Sequence, residues 1–447
     1  MSQFLADLRG RFGISEAVAY VVGSRLWQVV SGPVTQVFLL LYFTEEARGF
    51  YYTFLELIAM QVFAELGLKV VLINLASHEW SSLKYENRVL TGPTESITRL
   101  GSLLQKSLRW YALASAIFVL IVGATGLHTL ESRQSSEVIT WHSQWICFSI
   151  VCGLHLSLAP MIGILEGCGQ IRFLSRCRLA QAILGSVIVW GCLWMELGLW
   201  CLIGAAVVTL LMDGWIALWV YRGFFSVLKT SASSASFSWR TEVLPLQIRV
   251  GIQGPLTWLA TSMPGLVVFV GGGEAGRWGM SWYVVNTVRS VCASWIDSNR
   301  PEIGRLLSLR HSEAALSLWA HSLKVSLGLL FVLLSGFVVS LMLLEELDWS
   351  LGHRIVAGIL PWYQIVALGA ASLVMHTCHC MSVFGFAHKQ DYFFRYAVTS
   401  NTVMAIVLYL AGTSYGINGI VAGIMGVTFL VQLPGYLIVW SRRADWT

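Results

Sequence analysis

Six charged side chains stand inside apolar stretches long enough to cross a bilayer: Arg25, Glu56, Glu65, Asp213, Arg249 and Arg289. A charge at mid-helix in hydrocarbon costs roughly 2.5 to 3.5 kcal/mol, so each implies an internal partner or a function at a polar cavity. Helical spacing groups them with other polar residues. Arg25, Gln28, Gly32 and Gln36 form one stripe, Arg249, Gln253, Thr257 and Thr261 form a second, and Asn286 shares a face with Arg289. A planar guanidinium holds two oxygens at once and stays charged when partly desolvated, which suits phosphate or another anion. Arg25 lies roughly 13 Å inside its stretch and Arg289 about as deep in its own, whereas Arg249 is about one turn from an end. Arg25, Gln28, Arg249, Gln253, Asn286 and Arg289 are therefore the expected substrate-binding residues, and Glu56, Glu65 and Asp213 the expected ion-coupling carboxylates. The competing reading is internal pairing, Arg25 with Glu65 and Arg249 or Arg289 with Asp213. His376 and Cys380 share a helix face, but no second cluster completes a metal site, so neither a metal nor a catalytic residue is expected.

The elements that must position these groups follow from composition. Of 447 residues 56% are hydrophobic and 12% charged, where a soluble domain carries about 25% charged. Apolar runs fall near 16–43, 49–75, 107–130, 141–166, 178–196 and 198–221, then near 245–270, 279–298, 315–343, 358–384, 393–413 and 415–440. The expectation is an all-α integral membrane protein of about twelve transmembrane helices in two six-helix lobes, 1–221 and 245–447, with a central cavity and a serine-rich cytoplasmic linker at 222–244. Phe4, Leu5, Leu8 and Phe12 beside Asp7, Arg9 and Arg11 predict a short surface helix. No cleavable signal peptide is visible, and the nine cysteines show no paired spacing that predicts disulfides.

Basic residues orient the runs. Only Arg48, Arg133, Arg277 and Arg354 fall in the odd-numbered loops, which puts both termini on the cytoplasmic side. The net charge of +5 reflects that topology and an anionic inner leaflet rather than nucleic acid. The halves also repeat. Glu46-Ala-Arg-Gly49-Phe50 parallels Glu274-Ala-Gly276-Arg-Trp278, Gly167-Cys-Gly-Gln170 parallels Gly385-Phe-Ala-His388, and Gly198 and Gly416 open the sixth and twelfth runs. Such a parallel duplication predicts a cleft between halves. Gly32-Pro33, Gly254-Pro255 and Pro264-Gly265 predict kinks that serve alternating access.

Three segments carry a family likeness: Leu41-Tyr-Phe-Thr-Glu45-Glu46-Ala-Arg-Gly49 after the first run, Ala64-Glu65-Leu-Gly67-Leu in the second, and Trp295-Ile-Asp-Ser-Asn-Arg-Pro301 ending the eighth. The chain resembles, over nearly its whole length, the oligosaccharide flippases of the multidrug, oligosaccharidyl-lipid and polysaccharide exporter superfamily. The resemblance implies transport of a polyprenyl-diphosphate-linked oligosaccharide, as in O-antigen assembly, across the bacterial inner membrane, through a cationic cavity that Arg25, Arg249 and Arg289 match by position. It implies membrane lipids and other polysaccharide-assembly proteins as partners, and no cofactor beyond a coupling proton or sodium ion. Glu56 and Glu65 stand where flippases of peptidoglycan precursors place an arginine, which argues against that cargo. A cation-coupled multidrug exporter is the alternative, and a glycan polymerase, an enzyme needing a larger outer loop, is a weaker one.

Overall fold

A computed structural model of the chain describes residues 16–86, 89–133, 139–230, 237–272, 274–347, 349–388, 390–443 and 446, so the surface helix expected around Phe4 to Phe12 lies outside the described residues. The fold is helical almost throughout. Glu16–Tyr42 (α1) is continuous through Pro33. The second expected run is three helices, Glu45–Ile58 (α2), Gln61–Glu65 (α3) and Leu68–Trp80 (α4). A hairpin follows, Lys84–Glu86 (β1) antiparallel to Val89–Thr91 (β2), with Tyr85 opposite Leu90, so the chain departs from all-α at this one place among the described residues. Next come Thr94–Glu131 (α5), His142–Gly167 (α6), Ile171–Trp194 (α7) and Trp200–Trp215 (α8), the last ending in a π-helical turn at Ile216–Val220.

Arg222–Thr230 (α9) and a π turn at Trp239–Val243 lead into the seventh run, which is also three helices: Leu244–Gly251 (α10), Gln253–Thr261 (α11) and Met263–Val270 (α12). Ala275–Ser308 (α13), Ser312–Glu346 (α14), Ser350–Ala357 (α15) and Trp362–Ala387 (α16) precede Phe394–Val427 (α17), a π turn at Thr428–Gln432 and Leu433–Ser441 (α18). The repeat is visible in the backbone. Gly198 and Gly416 are left-handed at φ +60° and +58°, and the sixth and twelfth runs each hold a π turn.

Among the described residues seven helices are long and apolar enough to cross a membrane: Thr94–Glu131, His142–Gly167, Ile171–Trp194, Trp200–Val220, Ser312–Glu346, Trp362–Ala387 and Phe394–Ser441, the last taking in two of the expected runs across Gly416. The difference from twelve has a physical cause. Runs one, two, seven and eight are either broken into short pieces or too polar to qualify, and they are the runs that carry all but one of the expected site residues. Apolar side chains on the seven helices point outward, Leu120 at 71% and Leu430 at 78% exposure, as lipid-facing surfaces do. The chain is thus a multi-pass membrane protein.

It folds as two compact units. Unit 1 takes the described parts of Met1–Ser31, Leu57–Ser132 and Val138–Pro255; unit 2 takes those of Gly32–Glu56, Arg133–Glu137 and Leu256–Thr447. The chain passes from one unit to the other at Gly32-Pro33 and next to Gly254-Pro255, where the sequence places weak points in the helix. In unit 2 an aromatic core joins Trp319, Phe384, Phe393, Tyr436 and Trp446. Trp319 donates its indole N–H to the Cys380 carbonyl at 2.8 Å.

Candidate functional site

Proline explains the breaks in the seventh run. Pro255 cannot donate to the carbonyl of Gly251, and Pro264 cannot donate to that of Ala260, so the helix interrupts at Ile252 and Ser262 and restarts where a missing N–H costs nothing. The second run breaks differently. Ala59 and Met60 form a turn, and Leu66 and Gly67 are both left-handed, at φ 45° and 68°. For Leu66 that conformation costs on the order of 1 kcal/mol or more.

The two broken runs lie against each other, and glycine permits the approach. Within unit 1 a Cβ on Gly251 would stand 2.7 Å from the Leu66 carbonyl oxygen, and one on Gly254 would stand 2.5 Å from Val62 Cγ2. Within unit 2 a Cβ on Gly265 would overlap both carboxylate oxygens of Glu56, and Trp258 donates its indole N–H to the Glu56 carbonyl at 3.0 Å. Interrupted helices at membrane depth are tolerated where they are buried in protein or line a polar site.

Unit 1 holds a compensated polar set. Asp213 on α8 accepts from Gln181 Nε2 at 2.7 Å and lies 3.0 Å from His155 Nε2. Glu166 pairs with Lys69 at 3.5 Å and with Arg178. Lys69 and His155 are also the cations close enough to act on Glu65. Among the described residues the partners of Asp213 are therefore His155 and Gln181, while the Arg249 side chain, one of its expected partners, lies outside them. His155 and Gln181 were missed because a lone histidine or glutamine in an apolar run gives no signal until the fold supplies its neighbour.

Arg25 and Gln28 are exposed on α1, where Arg25 Nη1 donates to Gln28 Oε1 at 3.2 Å. Trp27 fixes the rotation of this helix. Its indole N–H reaches the Ala182 carbonyl and Ser186 Oγ, both at 3.2 Å, and its ring lies 6.0 Å from that of Trp190. Among the described residues Arg25 makes no ion pair, so the pairing with Glu65 is not what the structure shows. The Arg249 side chain lies outside the described residues, and Gln253 opens α11.

Unit 2 orders Arg289 through a chain of bonds. Its Nη2 donates to Asn286 Oδ1 at 2.9 Å, Asn286 Nδ2 to the Trp282 carbonyl at 3.0 Å, and the Trp282 indole N–H to the Thr261 carbonyl at 3.1 Å. Arg289 Nε is buried with no partner among the described residues. Each of the two deep arginines thus bonds a carboxamide one turn away, Gln28 or Asn286, and makes no ion pair among the described residues. Glu56 is the mirror case. No basic group acts on its carboxylate among the described residues. His376 is fully buried and its Nε2 lies 2.9 Å from Ser326 Oγ.

No protein-family description matches the chain, and no curated protein sequence does either. Solved structures do. A single-substitution mutant of the Vibrio cholerae MATE transporter VcmN aligns with a TM-score of 0.58 at 14% identity over 96% of each chain. The inward-facing form of a multidrug resistance MATE family transporter of the MOP superfamily gives 0.59 at 14% identity over 92% of this chain and 96% of the other. A MOP-superfamily transporter from Pyrococcus furiosus, whose binding pocket has a reverse polarity that suggests a different function, gives 0.58 at 13% identity over 96% of each. The chain shares the fold of these transporters over at least 92% of its length.

Proposed function

We propose that this protein is a flippase that carries a polyprenyl-diphosphate-linked oligosaccharide from the cytoplasmic to the outer leaflet of the bacterial inner membrane by alternating access, for cell-surface polysaccharide assembly, with both termini cytoplasmic. The observation that supports the reading is the bonding of Arg25 and Arg289, each to a carboxamide and, among the described residues, neither to a carboxylate. A guanidinium at such depth is costly unless a counter-charge arrives, and a diphosphate brings one with oxygens that match the guanidinium fork. Arg249 adds a third charge by sequence position, while Gln28, Gln253 and Asn286 meet sugar hydroxyls. Glu56, lacking a cationic neighbour, takes a proton or a sodium ion as its companion; Glu65 and Asp213 are the further coupling candidates. Gly32-Pro33 and Gly254-Pro255, where the chain changes unit, are the weak points about which the halves move.

A second reading, a cation-coupled multidrug exporter, draws support from the MATE fold and from the Glu56 carboxylate, on which no basic group acts among the described residues. The Pyrococcus furiosus transporter is relevant to the choice, because its pocket polarity is reversed on a shared fold. Export of surface glycan by cells carrying Arg25→Ala or Arg289→Ala separates the readings. The flippase reading expects a loss on the order of 100-fold for each at unchanged protein level, about 2.7 kcal/mol. Unchanged export, with purified protein binding ethidium through Glu56, would establish the second.

A further inference from the structure

The four arginines that the sequence assigns to outer loops are exceptions to the basic-residue rule, and each comes from a different loop: Arg48, Arg133, Arg277 and Arg354. Unit 2 gathers them. Arg48, Arg133 and Arg277 all act electrostatically on Glu45, and Arg48 and Arg354 line one cavity of about 360 Å³ together with Leu40, Phe43, Glu45 and Gly358. Two of the four are committed to the protein. Arg277 donates to Glu274 at 2.6 Å and to the Ile359 carbonyl at 3.0 Å, and Arg133 donates to the Phe269 carbonyl at 2.9 Å with its guanidinium 5.4 Å from the Phe269 ring.

The other two are not. Arg48 is only 6% exposed, and its Nε is buried with no partner among the described residues. Arg354 is exposed on α15 at the same cavity. Gly358 lets Arg48 and Leu40 pack against its backbone, since a Cβ there would stand 2.9 Å from Arg48 Nη1 and overlap Leu40 Cδ2. The repeated Glu-Ala segments of the two halves pack together beside it: a Cβ on Gly276 would stand 2.5 Å from the Glu45 carbonyl and 3.1 Å from Arg48 Cβ. Buried polar groups without partners are rare, and a cavity beside one is where a ligand supplies the missing acceptor.

We infer that this cavity is an oxyanion site that takes one carboxylate or phosphate group between the guanidinium groups of Arg48 and Arg354. Its volume admits a sugar acid or a phosphate headgroup. Burial raises the Glu45 carboxyl above the ordinary carboxylate range, Glu274 adds to the rise, and the three arginines oppose it. The inference stands apart from the transported cargo, because it concerns binding at one end of unit 2.

Calorimetric titration of the purified full chain with inorganic phosphate and with glucuronate tests it, beside thermal melting in nanodiscs of phosphatidylglycerol against phosphatidylcholine. The expected result is saturable binding of a soluble anion, or stabilisation by the anionic lipid alone if the group comes from a headgroup. Either should weaken at least tenfold in Arg354→Gln, which changes an exposed side chain and spares the fold, and in Ala357→Trp, which fills the cavity and keeps both charges. Arg48→Gln should abolish it. Absence of binding in every arm, or binding that Arg354→Gln and Ala357→Trp leave unchanged, overturns the inference. No arm measures transport, so failure here leaves the flippase reading intact, and the converse holds.

Discussion

Asp213 in unit 1 and Glu56 in unit 2 are both carboxylates within runs expected to span the membrane, and the two units treat them in opposite ways. Asp213 is held by Gln181 at 2.7 Å and by His155 at 3.0 Å. Glu56 lies against the bare backbone of Gly265, with no basic group acting on it. A buried group whose partners are in place contributes to the fold, and its loss strands those partners. A buried group without partners contributes nothing of the kind and retains its capacity to bind. The same division separates Glu166, paired with Lys69 and Arg178, from Arg289, whose Nε is unpartnered.

The largest expected effect is on stability at the compensated site. Asp213→Ala leaves Gln181 and His155 without acceptors and should cost about 2 to 3 kcal/mol, read as a lowered melting temperature in detergent. Glu56→Gln should leave that temperature unchanged or raise it, while abolishing any proton or sodium dependence of transport. Equal destabilisation by both substitutions would break the comparison.

A somewhat smaller effect tests the glycine beside Glu56. Gly265→Ala forces a methyl group into the carboxylate, and overpacking of this kind costs about 1 to 3 kcal/mol. Combining it with Glu56→Ala should restore most of the loss, a coupling that a double-mutant cycle measures directly. Additive losses would mean that the glycine serves the backbone alone.

These contrasts show what the sequence made legible. Periodicity brought Arg25 to Gln28 and Arg289 to Asn286, because residues one turn apart on a helix meet whatever the tertiary fold does. Pro255 and Pro264 marked the breaks of the seventh run, since a missing N–H acts locally. The break at Leu66 carried no such mark: a left-handed leucine is imposed by its surroundings, with Gly251 packed on its carbonyl from 185 residues away. His155 and Gln181 escaped notice for the same reason, as their roles exist only when α6 and α7 meet α8. The count of apolar helices misled for a related one, because the polar residues and breaks that make the first, second, seventh and eighth runs chemically useful are what lower their hydropathy.

The smallest expected effect concerns the region read from composition as a serine-rich linker. Its last residues are strapped to α5. Arg99 donates to Glu79 and to Glu242, each at 2.9 Å, its guanidinium lies 4.2 Å from the Phe237 ring, and Trp239 stacks on Trp110. The Ser238 N–H and Arg99 together hold the Glu242 carboxyl below the ordinary carboxylate range. A carboxyl lowered in the folded state stabilises the strap above its unfolded pKa, and that contribution disappears as pH falls through the lower folded value. The strap should therefore persist at neutral pH and in mild acid and release only below the usual carboxylate range. Arg99→Ala should release it at neutral pH at a cost of about 1 kcal/mol or less, as expected for partly exposed ion pairs. Hydrogen exchange of residues 237–243 reads both effects, and exchange that is fast in the native chain, or unaltered in the variant, would place this segment in the class of flexible linkers.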